Sequence, residues 1–140
     1  KKTQHDEHHI NAEMRAAVIL TEQSLDQTEA ATMHLDDALR HYDPAGDLGA
    51  ETLNRFADAL RRAGRGHDAL RWCRAALAQA RRAGERYQIA KARDGIAHLL
   101  YSAGHTDAAK RRWLDALALY DVLGVPEAQQ VRDRLDNLSL

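Results

Sequence analysis

Apolar and small residues recur along this chain at helical spacing, and the pattern returns after forty residues. Ala57, Leu60, Gly64, Ala69, Cys73 and Ala76 are answered by Ala97, Leu100, Gly104, Ala109, Trp113 and Ala116. In both stretches an apolar residue, Phe56 or Ile96, lies eight positions before the glycine, and an Ala-Leu pair follows twelve and thirteen positions after it. Such a unit reads as two antiparallel helices. The alanines stand where backbones pack closely, and the glycine ends the first helix in the left-handed conformation that other residues resist. Helices are predicted over 49–63, 68–83, 87–103 and 107–123, closed by Ala63-Gly64, Ala83-Gly84, Ala103-Gly104 and Leu123-Gly124.

Two further segments extend the pattern. Val125-Pro126-Glu127 opens a last helix over 126–138, with proline in its first turn and an apolar stripe of Val131, Leu135 and Leu138. Before the turn cluster Asp43-Pro44-Ala45-Gly46-Asp47, Ile10, Met14, Ala17 and Val18 mark a helix over 10–24, and Ala31, Leu35, Ala38 and Leu39 one over 27–41. The latter four stand thirty-eight residues before Ala69, Cys73, Ala76 and Leu77, so 10–41 reads as a degenerate first repeat with Asp26 where a glycine is looked for. The expectation is one all-α domain over 1–140: a right-handed helical-repeat solenoid of about three antiparallel helix pairs, each about forty residues long. It comprises repeat 1 (10–41), repeat 2 (49–83), repeat 3 (87–123) and a capping helix (126–138). Stacked repeats present extended surfaces whose usual work is binding.

Composition narrows the class. Ala, Leu and Arg are abundant, aromatics make up 5% and charged residues 29% of the 140 positions, a balance suited to helices rather than strands. No window is apolar enough to span a membrane and no leader opens the chain, so a cytoplasmic protein without membrane contact is expected. The lone Cys73 cannot form an internal disulfide. The chain opens at Lys1 rather than at methionine, which suggests a piece of a longer protein. Net charge is −1, too little for a polyanion binder, and no direct nucleic-acid contact is expected. Its distribution is uneven, however: residues 1–60 hold 12 acidic and 5 basic side chains, and residues 61–93 hold 2 and 10.

A glycine followed by Ala at plus five, an aromatic at plus nine and Ala at plus twelve makes residues 50–123 resemble tetratricopeptide repeats. Two longer runs carry a more specific likeness: Gly84-Glu85-Arg86-Tyr87 leading to Ala92-Arg93-Asp94-Gly95-Ile96-Ala97, and Trp113 to Tyr120 running into Leu123-Gly124-Val125-Pro126-Glu127-Ala128. Both resemble the C-terminal repeats of large actinobacterial transcriptional regulators of the Streptomyces antibiotic regulatory protein class. In that class a winged-helix domain and a nucleotide-binding switch domain precede the repeats. The resemblance implies a non-catalytic protein-interaction and regulatory module, whose partner is a protein, a peptide or another domain of the same parent chain. This chain itself has no phosphate-binding G-x-x-x-x-G-K-[ST] motif.

In stacked helix pairs the first helices line the concave surface. Counting back from each glycine places Glu51, Asn54, Asp58, Arg61 and Arg62 there in one unit, and Lys91, Asp94, His98, Tyr101 and Ser102 in the next. Asn54, Asp58, Arg61, Arg62, Lys91, Asp94, His98, Tyr101 and Ser102 are the partner-binding candidates, because long polar side chains around an aromatic suit a peptide held by charge-assisted hydrogen bonds. The alternative is a receptor groove for a small signalling peptide or metabolite. Arg71, Arg74, Arg81 and Arg82 read as an outer solvated face. An open stack end, with Ile10, Met14 and Val18, offers a route to self-association.

Three constellations tempt. Asp94, His98 and Ser102 follow a hydrolase-like order on one helix, but a straight helical surface supplies neither an oxyanion hole nor tight nucleophile geometry, so no catalytic residue is expected. His5, His8 and His9 lack the H-E-x-x-H order of a zinc protease, and no metal or cofactor is expected. Cys73 shares the register of Trp113 and reads as core, as do Trp113 and Tyr120. Trp72, one position off that register, reads as partly exposed and as a candidate interface residue.

Overall fold

The computed structural model describes residues 48–138. They form five helices: α1 (Ala50–Arg62), α2 (Gly66–Ala83), α3 (Arg86–Ser102), α4 (Thr106–Leu123) and α5 (Glu127–Leu138). There is no strand among the described residues. The first repeat expected over 10–41, the histidines His5, His8 and His9, and the self-association face of Ile10, Met14 and Val18 lie outside them.

The glycine punctuation sets the architecture. Gly64, Gly84, Gly104 and Gly124 have φ of 76°, 69°, 88° and 66°, the left-handed region where a side chain would be strained. At each, the residue after the glycine donates its backbone N–H to the carbonyl five positions back. The four bonds run from Arg65 to Leu60 (2.8 Å), Glu85 to Ala80 (2.9 Å), His105 to Leu100 (2.9 Å) and Val125 to Tyr120 (3.3 Å). This is the Schellman closure, which satisfies carbonyls that a helix end leaves orphaned. Arg65, Glu85 and His105 then accept the first backbone bond of the next helix, from Ala69, Ile89 and Ala109. One residue thus ends one helix and starts another, and so short a connection leaves antiparallel packing as the outcome.

Small residues let the helices approach. Ala57, Ala69, Ala76, Ala97, Ala109 and Ala116 are all buried, two from each of three register positions of the repeat. Around them Phe56, Leu60, Trp72, Cys73, Leu77 and Ile96 pack as one apolar cluster, and Trp113, Tyr120, Ala128 and Val131 as a second. Leu100 packs against both. Gly95 marks the tightest approach: a Cβ placed on it would stand 2.9 Å from Cys73 Sγ, closer than van der Waals contact permits.

The exposure expected of Trp72 is corrected: its relative accessibility is 0%, and its ring meets Phe56 edge-on at 4.4 Å between centroids. The reason is the position of α2, which packs on α1 and on α3. A helix covered on two sides buries a wide face, here Ala69, Trp72, Cys73, Ala76, Leu77 and Ala80, so both adjacent positions 72 and 73 turn inward. In the next repeat Arg112 occupies the position of Trp72, and it is half-buried.

Candidate functional site: a charged cleft across three helices

Alternate helices contribute one surface. Side chains from α1 (Asn54, Asp58, Arg61, Arg62), α3 (Lys91, Asp94, His98) and α5 (Gln130, Arg134) border a cleft of about 390 Å³, with Cys73 and Gly95 at its wall. Seven of the nine candidate residues therefore come together. Tyr101 and Ser102 do not line it. Both stand exposed in the last turn of α3, where the Tyr101 ring lies 5.9 Å from that of Trp113. Glu51 joins Asn54, Asp58, Tyr87, Gln88 and Lys91 around an adjoining cleft of about 290 Å³.

Two of the seven spend their hydrogen-bonding capacity on the scaffold. The Asn54 amide donates to the carbonyl oxygen of Gln88 at 3.1 Å and to its side-chain Oε1 at 3.0 Å, tying α1 to α3 from a buried position. The Asp94 carboxylate accepts from Trp113 Nε1 at 3.0 Å and from Tyr120 OH at 3.1 Å, which satisfies two donors on the buried face of α4. Burial, then the Asp94 charge and its hydrogen bond, push the Tyr120 hydroxyl well above its ordinary range, so it remains a donor.

The remaining groups are mostly cationic. Asp58 is shared by Arg61 at 2.7 Å and Arg62 at 3.0 Å. Arg134 reaches from α5 to within 3.8 Å of Asp94 and lies over the Trp113 ring, 5.3 Å from its centroid. Lys91 makes no ion pair among the described residues. His98 Nε2 is 3.5 Å from Asp94 Oδ1, yet burial and then the Arg134 charge outweigh that carboxylate and pull the imidazole down to about 4. It is neutral at pH 7 and adds no charge.

These distances leave the hydrolase-like order without its chemistry. The Asp94 oxygens are engaged by Trp113 and Tyr120, and no hydrogen bond joins His98 to Ser102 among the described residues. Cys73 is buried as expected, and that burial, followed by the Asp58 charge, raises its thiol to about 12. A neutral thiol is a poor nucleophile. Among the described residues no group of three His, Cys, Asp or Glu side chains could hold a metal ion. The arginines Arg71, Arg74, Arg81 and Arg82 of α2 are exposed, and Arg82 donates to Gln79 at 2.7 Å.

Gln130 and Arg134 were not anticipated from the sequence. A signal existed for Arg134: it stands forty residues after Asp94 and eighty after Asn54, so the repeat register itself carries it into the cleft.

The tetratricopeptide repeat model of protein families matches residues 48–121. The chain belongs to the tetratricopeptide repeat family. Among solved structures it is similar to the N-terminal domain of stress-induced protein-1 (STI-1) from C. elegans, with a TM-score of 0.59 and 18% identity over 94% of this chain and 98% of that one. At that identity the likeness concerns the fold. No curated protein matches the chain. Tetratricopeptide repeat domains generally mediate protein–protein interaction and are typically non-catalytic scaffolds. No described helix is long and apolar enough to cross a membrane.

Proposed function

We propose that this tetratricopeptide domain is a non-catalytic interaction and regulatory module of a bacterial transcriptional regulator, located in the cytoplasm. It binds a protein or peptide segment, from a separate partner or from its own parent chain, through the cleft between α1, α3 and α5 or through an open end of the stack. The observation that carries this reading is the cleft itself: Arg61, Arg62, Lys91 and Arg134 converge on it from three different helices. The regulator context rests on the resemblance of the Gly84–Ala97 and Trp113–Ala128 runs. Contact at the cleft acts by biasing a switch elsewhere in the parent protein.

Affinity capture from lysate of the native host tests this, comparing the wild-type chain with an Arg62→Glu, Lys91→Glu double variant. A specific protein retained by the first and lost by the second supports the reading, and equal retention by both counts against the cleft. A second reading, a receptor for a small signalling peptide or metabolite, is favoured by the cleft volume of about 390 Å³, within the range of about 300–1,000 Å³ typical of small-molecule sites.

A further inference from the structure

We propose that the outer face of α4 is a self-association surface, on which a second copy of this chain packs antiparallel about Ala118. This goes beyond the cleft, to whose lining α4 lends no side chain. Among the described residues four large apolar side chains are exposed, and two of them, Leu114 at 55% and Val122 at 71%, share α4. They stand four positions either side of Ala118, which is exposed as well, so the three fall on one stripe of the helix.

The preceding repeat differs at this stripe. Forty residues earlier the same register holds Arg74, Ala78 and Arg82 on α2, all exposed. The long side chains there are charged and solvated, whereas on α4 they are apolar and present a patch that water does not favour. α2 is followed in the stack by α3 and α4, yet Arg74, Ala78 and Arg82 remain in solvent. A further repeat packed after α4 would in the same way leave Leu114 and Val122 uncovered, so their cover comes from outside the stack.

Symmetry and charge fit a second copy. Antiparallel packing about Ala118 lays Leu114 of each copy against Val122 of the other, and the facing alanines let the two helices approach closely. Such a surface is complementary to itself, as a twofold dimer requires. The last turn of α2 carries Arg81 and Arg82, whereas that of α4 has no basic residue, so the negative end of its dipole lacks a cation from its own helix. Arg111 is exposed at the other end of the stripe, and the antiparallel arrangement carries it to that helix end of the second copy. Asp121 there pairs with Arg132 of α5, so Arg111 answers the helix end rather than a free carboxylate. A contact along one helix falls below the roughly 800 Å² per partner of a standard stable complex, and the dimer is accordingly weak, forming at concentrations on the order of 100 μM. Both clefts stay open in it, so a partner displaying two segments binds with avidity.

The test is sedimentation equilibrium of the whole chain at concentrations bracketing that value. The wild type is expected to shift from monomer to dimer, and a Leu114→Glu, Val122→Glu double variant to remain monomeric with a circular-dichroism melt matching the wild type. Disulfide formation under mild oxidation then reads the geometry, with Cys73 buried and out of reach. Ala118→Cys is expected to give a covalent dimer, and Ala78→Cys, at the same register of α2, none. Leu114→Cys and Val122→Cys are expected to crosslink when mixed and not when each is alone. A dimer retained by the double glutamate variant, equal crosslinking through Ala78→Cys and Ala118→Cys, or Leu114→Cys crosslinking as readily alone as in the mixture would overturn the proposal. A monomer at every concentration would overturn it too, and a host protein then captured by the wild type and lost with the double variant would assign the face to that partner instead.

Discussion

Trp113 donates its indole N–H to the Asp94 carboxylate at 3.0 Å, so a residue of the buried core on α4 is fixed by a residue on the wall of the cleft on α3. The same carboxylate takes the Tyr120 hydroxyl at 3.1 Å and faces Arg134 of α5. One side chain therefore ties together the three helices that follow Gly84, and the shape of the cleft depends on it.

Removing that carboxylate leaves two buried donors without an acceptor. Asp94→Ala is expected to lower unfolding stability by about 2 to 4 kcal/mol, since each orphaned buried donor costs roughly 1–3 kcal/mol. Trp113→Phe in the same background should recover part of the loss. Urea denaturation of the single and double variants measures both, and a loss below about 0.5 kcal/mol for Asp94→Ala would show that the carboxylate does not hold α3 and α4 together.

Gly95 and Cys73 make a second pair whose energies are coupled. Alanine replaces glycine in a helix interior at a gain of about 1 kcal/mol, but here the added Cβ would lie 2.9 Å from Cys73 Sγ. Gly95→Ala alone is expected to destabilise, at the roughly 1–3 kcal/mol of an overpacked core. In a Cys73→Ala background the same change should stabilise. Thermal melts of the four proteins give the coupling directly, and additive effects would mean that the helices yield without cost.

Stability should fall on acidification, and His98 sets part of the range. Its imidazole is held down at about 4 in the folded protein against about 6.5 when unfolded, so the unfolded chain binds more protons between those values. The contribution is fully present above about pH 6.5 and is lost as pH falls toward 4. Burial depresses it most, the charges of Arg134 and Arg61 add to that, and Asp94 and Asp58 oppose them. Melting temperature followed from pH 7.5 to 4.5 should drop less steeply in His98→Gln than in the wild type, and parallel curves would remove His98 from the account.

The helix boundaries were legible because their causes are local. A left-handed glycine every twenty residues and alanines at fixed offsets report the chain's own geometry, and the predicted helices differ from α1 to α5 by two residues at most. Seven candidate side chains reached the cleft for the same reason, since one face of a helix can be counted. What the count could not supply was the environment beyond the helix. Trp72 is buried because α2 is covered by two neighbours at once, which its own spacing does not encode. The same count places Asn54 and Asp94 on the cleft face, but not their partners, Gln88, Trp113 and Tyr120, which lie on other helices. Tyr101 turned toward Trp113 rather than into the cleft, a choice made by the ring it meets.

The most direct test of a cleft-borne interaction is site-specific crosslinking in the native host, with Arg62→p-benzoylphenylalanine in the cleft and Arg74→p-benzoylphenylalanine on the outer face of α2 as control. The account predicts a discrete crosslinked product, to a second protein or to another domain of the parent chain, from position 62 and none from position 74. Products from position 74 alone, or from neither position, would contradict it.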